Sequence, residues 1–254
     1  MTGTFARAAL AALLAAAAGC AQGADLKVFS TIGVQAALEQ LEPQFEKESG
    51  TKLAVTWSTA ALLVKRVEGG EAADCYVLTS QSLDALVKSG KAAGGADAVF
   101  ASSGIAMVVK KGAAKPDIST PDAFKQTLLK AKAIAYSNPA AGGASGVYIA
   151  KLFDKMGIAD ELKAKTKHPP AGGNSANLVV SGEADLAIQQ EPEVMSVTGV
   201  DMVGPLPAAL NNVTRYGAGP NPASAQAPAC QALVKFLHSP AAQAVFKARG
   251  LTPA

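Results

Sequence analysis

The chain has 254 residues, with 23 basic against 20 acidic side chains, two histidines and three cysteines. That near-balance of charge, with aromatic residues at only 5%, excludes a nucleic-acid binder, which needs a basic surface and rings to stack on bases. Two lone histidines with no Cys, Asp or Glu at ligand spacing give no metal motif, and no cofactor is expected.

Residues 1–23 carry one basic residue, Arg7, and an Ala/Leu run from Ala8 to Ala18. Small residues follow, with Ala21 and Gly23 placed for signal-peptidase cleavage, so a secretory signal is expected. A second reading stays open: Ala17-Ala18-Gly19-Cys20 resembles a lipoprotein box, with Cys20 lipidated. About 230 residues then remain, enough for two lobes.

From there strands and helices alternate. Leu26–Phe29 reads as a strand. Val34, Leu38, Leu41 and Phe45 share a helical face that stops at Gly50. Lys52–Trp57 is a strand, followed by a helix from Ala61 to the Gly69-Gly70 stop. Ala73–Thr79 is a strand and Leu83–Lys88 a helix. Ala101–Lys110 reads as one long apolar strand, and Thr120 caps a helix over Pro121–Leu129. Ala131–Tyr136 is a strand that breaks at Asn138-Pro139 and passes through Gly142, Gly143, Ser145 and Gly146. Val147, Ala150, Phe153 and Met156 then recur at helical spacing. Gly172-Gly173-Asn174-Ser175 leads into a helical stretch through Val180 and a strand at Asp185–Gln189. Val200–Val203 and Asn211–Ala218 read as strands, and two helices, Pro228–Leu237 and Pro240–Arg249, close the chain. Such alternation means βαβ units and a mostly parallel sheet, an α/β fold. Cys75 and Cys230 either pair in an oxidising compartment or stay as buried thiols.

One device recurs. Ser30-Thr31-Ile32-Gly33, Ser58-Thr59-Ala60-Ala61, Thr79-Ser80, Gly143-Ala144-Ser145-Gly146 and Gly173-Asn174-Ser175 each put small or polar residues where a strand gives way to a helix. Ligands of open α/β sheets sit beyond the carboxyl ends of the strands. Helix N-termini gathered there present unpaired N–H groups to an anion. Each segment alone reads equally as a helix cap; together they point to an anion cradle. An enzyme is not expected. There is no GKS/T loop, and Gly143-Ala144-Ser145-Gly146-Val147 lacks the last glycine of a nucleophile elbow. Glu191-Pro192-Glu193 reads as a solvated turn.

LKVFSTIGVQAALEQLEPQFEKESG, AALLVKRVEGGEAADCYVLTS, GGASGVYIAKLFDKMGI and ALVKFLHSPAAQAVFKARGL together resemble the periplasmic substrate-binding proteins of ABC importers, in their molybdate-binding branch. The resemblance implies a two-lobed type II binding-protein fold with two crossover segments. Lobe 1 would be 24–101 plus 216–254, and lobe 2 would be 102–215. It implies a monomer in the periplasm that captures a small anion and delivers it to an inner-membrane ABC permease. The alternative is a sensor subunit for a membrane receptor. The implied ligand-binding set is Ser30, Thr31, Gly33, Thr59, Ala60, Ser145, Gly146, Asn174, Ser175 and Gln190. Gly33 and Ala60 stand where that branch has ligand-binding serines, and Gln190 where it has a tyrosine. The resemblance implies an oxyanion such as molybdate or tungstate, while those departures point to a small carboxylate, and both readings stay open. Lys65 either pairs with such a ligand or is a solvated helix lysine.

Overall fold

The computed structural model describes residues 24–94 and 98–254; the expected signal segment and Cys20 lie outside them. In chain order the elements are β1 (Leu26–Thr31), α1 (Gln35–Ser49), β2 (Leu53–Ser58), α2 (Ala60–Glu68), β3 (Cys75–Thr79), α3 (Ser80–Lys88) and β4 (Val99–Ser103). Then follow β5 (Ile105–Lys110), α4 (Pro121–Lys130), β6 (Ile134–Tyr136), α5 (Ala144–Lys155), α6 (Ala159–Lys163), β7 (Thr166–Lys167), α7 (Ala176–Val180), β8 (Leu186–Gln190), α8 (Glu191–Met195) and β9 (Val200–Pro205). β10 (Thr214–Pro220), α9 (Ala227–Leu237), α10 (Pro240–Ala248) and β11 (Thr252–Pro253) complete the chain.

Two sheets form two lobes. One has six strands in the order β11-β4-β10-β3-β1-β2, the other five in the order β7-β6-β8-β5-β9. Period-two side-chain alternation supplies both faces of each. In β3, Cys75 and Val77 pack with α1, α9 and α10, whereas Tyr76 and Leu78 pack with α2 and α3. In β5, Ile105, Met107 and Val109 face α4 and α5, and Ala106 and Val108 face α7 and α8. Burial on both faces explains the unbroken apolar run of that strand.

Each sheet is mixed rather than mostly parallel. β1 pairs in parallel with β2 and β3, and β6 with β7 and β8. β10 runs antiparallel to β3 and β4, and β5 antiparallel to β8 and β9. The apolar run at 101–110 is two strands in different sheets, not one. The chain changes lobe at Gly104, where a Cβ would lie 3.0 Å from Asn211 Nδ2. Asn211 Oδ1 accepts from the Ile105 N–H at 2.8 Å, so the second crossover segment holds the first. Ser102-Ser103-Gly104 interrupts the apolar run at that point, but with only Gly104 between β4 and β5 it reads as a polar step within one strand. The short α6, β7, α8 and β11 were also absent from the expectation, each being five residues or fewer.

Cys75 and Cys230 are bonded, joining β3 to α9 across 155 residues of sequence. That settles the alternative left open above in favour of the disulfide.

A candidate active site in the inter-lobe cleft

The strand ends of both lobes converge on one cleft of about 800 Å3. Thr31 and Gly33 from the β1 end, Thr59 and Ala60 from the β2 end, Ser80 from the β3 end, Ser145 from α5 and Gln190 from the β8 end all line it. The volume lies in the roughly 300–1,000 Å3 range of small-molecule sites. Two observations point its walls at a ligand. The Ser80 hydroxyl is buried without a hydrogen-bond partner. The N-cap of α5 is Gly143, with no side chain to cap the first turn, so the N–H groups behind Ser145 are open to an anion.

Four of the expected site residues are set behind the wall instead. Ser30 is fully buried, and its hydroxyl turns to the Thr31 carbonyl. Gly146 is a packing residue: a Cβ there would sit 2.3 Å from the Ser137 carbonyl oxygen. Asn174 donates to the Glu193 carbonyl. Ser175 donates to Gln189 Oε1 through both its N–H, at 2.7 Å, and its hydroxyl, at 2.6 Å. All four therefore shape the site from outside.

Thr59 caps α2 and also reaches across the cleft, its hydroxyl donating to the Ala141 carbonyl at 2.9 Å. Next to it the lobes touch. Gly142 has φ +71°, and a Cβ there would lie 2.7 Å from the Ala61 Cβ. Only glycine combines that left-handed backbone with so close an approach.

Gly33 is empty for a reason. A Cβ at 33 would lie 2.5 Å from the Tyr216 hydroxyl and 2.9 Å from its ring. The tyrosine occupies the space a serine would need, and sequence reading missed it because Tyr216 is distant in the chain. Gln190 is held behind it. Its Oε1 accepts from Ser103 at 2.7 Å and its Nε2 donates to Thr214 at 2.7 Å, so its amide joins both crossover strands to β8. The one hydroxyl hydrogen of Ser103 is donated to Gln190 Oε1. The 3.0 Å contact between Ser103 and Tyr216 is therefore a donation from the tyrosine. Burial, the charge of Glu193 and the counteracting Ser103 bond leave the Tyr216 hydroxyl well above its ordinary pKa.

Glu193 corrects the expected solvated turn. Glu191–Met195 is a helix with Pro192 in its first turn, a position that tolerates proline. Glu193 lines the cleft and is half-buried. Loss of hydration pushes its pKa up to about 7, against a lowering by the Gln189 hydrogen bond. The orientation of Gln189 is fixed chemically. Its Oε1 accepts from a backbone N–H, so its Nε2 must face Glu193, and it donates to Oε2 there.

Lys65 on α2, Lys151 on α5 and Arg215 on β10 also line the cleft, and all three are exposed. Arg66–Glu71 is the only ion pair among the described residues, so these three cations have no carboxylate partner.

A carboxyl whose pKa is raised by folding holds its proton more tightly in the fold than in the unfolded chain. Its contribution to stability is full below the ordinary value of 4.5 and is lost as pH rises through about 7. Glu193→Gln is neutral at every pH. Its melting temperature should exceed that of the wild type at about pH 8, and the gap should close by about pH 5. Differential scanning calorimetry at the two pH values checks this; a constant gap would mean the carboxyl is not held protonated by the fold.

The chain belongs to the bacterial extracellular solute-binding protein family, whose model matches residues 26–252. Among its relatives is a Pseudomonas protein named aconitate isomerase, 36% identical over 90% of this chain and 87% of that one. The molybdate-binding protein ModA of Escherichia coli is 24% identical over 98% of this chain and 96% of its own. The periplasmic molybdate-binding protein of Azotobacter vinelandii superposes with a TM-score of 0.70 at 20% identity, over 90% of this chain and 99% of that one. That likeness shows the two-lobed binding-protein fold. The expectation that the chain is not an enzyme is overturned by the isomerase relative. That expectation had set aside Glu191-Pro192-Glu193 as a solvated turn, and Glu193 instead lines the cleft.

Proposed function

We propose that the cleft binds a small polycarboxylate of the aconitate kind and isomerises it by moving a proton along its carbon chain. One combination in a single cleft carries this reading. Three cations without counter-ions, Lys65, Lys151 and Arg215, surround a wall that holds an ionisable carboxyl, Glu193. The isomerase relative supports the substrate class. The occupied space at Gly33 and the missing hydroxyl at Ala60 argue against a tetrahedral oxyanion held by serines. The protein would act as a monomer in the periplasm after removal of its leader. The same closing cleft also suits delivery of bound solute to an ABC permease, a reading favoured by the fold shared with molybdate-binding proteins.

A melting-temperature screen tests the ligand class. Ligand at one hundred times its Kd stabilises by about 2.7 kcal/mol, which is about 5–10 °C for a chain of this size. trans-Aconitate and cis-aconitate should give that shift, and molybdate and sulfate should not. A response to molybdate alone would return the protein to oxyanion capture.

A further inference from the structure

We infer that Glu193 is the catalytic residue of this site, its Oε1 taking a proton from the methylene carbon of an unsaturated polycarboxylate and returning it at the far end of the double bond. This rests on the isomerase reading above.

The cleft offers few groups for the task. Lys65, Glu68, Lys151 and Arg215 line it but are exposed, in contact with bulk water. The Tyr148 hydroxyl donates to the Leu210 carbonyl. The Tyr216 hydroxyl donates to Ser103, whose own hydroxyl donates to Gln190 Oε1. Neither histidine lines the cleft; His168 meets Tyr136 edge-on, ring centroids 4.7 Å apart. Glu193 remains: it lines the cleft and is half-buried, where the other charged groups are exposed. Gln189 Nε2 holds its Oε2, and its Oε1 has no partner among the described residues. Gln189 is in turn locked by the N–H and hydroxyl of Ser175. A carboxylate fixed at one oxygen and free at the other has a defined direction of attack.

The chemistry balances with no co-reactant. The methylene group of aconitate is flanked by a carboxylate and by the double bond. Glu193 Oε1 accepts its proton as the C–H bond breaks, and the electron pair spreads over a three-carbon system and the attached carboxylates. The proton then returns to the carbon at the other end, a new C–H bond forms, and the double bond has moved one position. Glu193 ends ionised as it began. Rotation within the delocalised intermediate, before the proton returns, exchanges cis and trans products. The charge that builds up on the carboxylates faces Lys65, Lys151 and Arg215 and the open N–H groups of α5. A base with a pKa near the working pH is suited to both halves of such a transfer.

The test uses trans-aconitate with the full chain and with two variants. If the wild type binds aconitate without isomerising it, the isomerase reading itself fails before Glu193 is examined. If the wild type isomerises, Glu193→Gln should keep the aconitate melting shift and lose at least about 1,000-fold in rate, within the range of general acid–base catalysis. Glu193→Ala should regain part of its rate when formate is supplied. The wild-type kcat/KM should rise with pH through about 7, and that limb should vanish in formate-rescued Glu193→Ala. A Glu193→Gln rate within tenfold of the wild type would overturn the inference. So would loss of aconitate binding in both variants with no rescue, which would make Glu193 a structural residue.

Discussion

Ser145→Asp should weaken aconitate binding at least a hundredfold while leaving the fold intact. Ser145 is 3% exposed, lines the cleft and stands in the first turn of α5. A carboxylate in that turn interacts favourably with the helix dipole, so α5 itself should not suffer. The ligand, however, brings carboxylates to the same N–H groups. Two like charges about 4 Å apart at an effective dielectric of 20 repel by about 4 kcal/mol, which exceeds the roughly 2.8 kcal/mol that a hundredfold requires. Calorimetric titration gives the affinity and circular dichroism the fold. Unchanged affinity with a native spectrum would remove α5 from the site.

Replacing Cys75 and Cys230 together by alanine should lower the melting temperature by about 5–20 °C. The bond closes a loop of 155 residues between β3 and α9, and both cysteines are fully buried in the core of the first lobe. Loss of such a cross-link costs about 2–5 kcal/mol, and a chain of this length shifts by about 2–4 °C per kcal/mol. Aconitate binding at saturating ligand should survive, because the bond sits at the end of β3 away from Thr79 and the cleft, about 13 Å along the strand. A shift below about 2 °C would show that the packing of α9 holds the lobe without the bond.

The fold was largely legible from the chain. Helical faces such as Val34-Leu38-Leu41-Phe45 and stops such as Gly50 mark α1 and its end, and the structure places them there. The motifs also resemble a family whose model spans residues 26–252. What failed to show has physical causes. The change of lobe at Gly104 is hidden because β4 and β5 adjoin with only Gly104 between them, so Ser102-Ser103-Gly104 reads as a polar step within one strand. β10 and β5 run against their neighbours, and strand direction leaves no mark on residue type.

The site was legible only in part. Thr31, Thr59 and Ser145 could be named because small and polar residues at helix starts are a local signal. Tyr216, Lys151 and Arg215 could not, because what they face is distant in the chain, and Glu193 could not, because its partner Gln189 is itself held by Ser175 from another element. Tyr216 fills the space at Gly33, from 183 positions later in the chain. Glu193 looks like a surface residue beside a proline, until Gln189 and Ser175 are seen to fix it. Asn174 and Ser175 carried the right local signal and turned out to support Gln189 and α8 rather than face the cleft. The charged lining is equally invisible in sequence: Lys65 on α2 and Lys151 on α5 come from separate lobes and line one cleft only when the lobes face each other.

The most direct test is to incubate the purified protein with trans-aconitate in deuterium oxide and follow the vinyl and methylene protons by NMR. The account predicts that cis-aconitate appears at a rate proportional to protein concentration, with deuterium entering the carbons that exchange. A trans-aconitate spectrum that stays unchanged while the ligand raises the melting temperature would contradict it and leave binding alone.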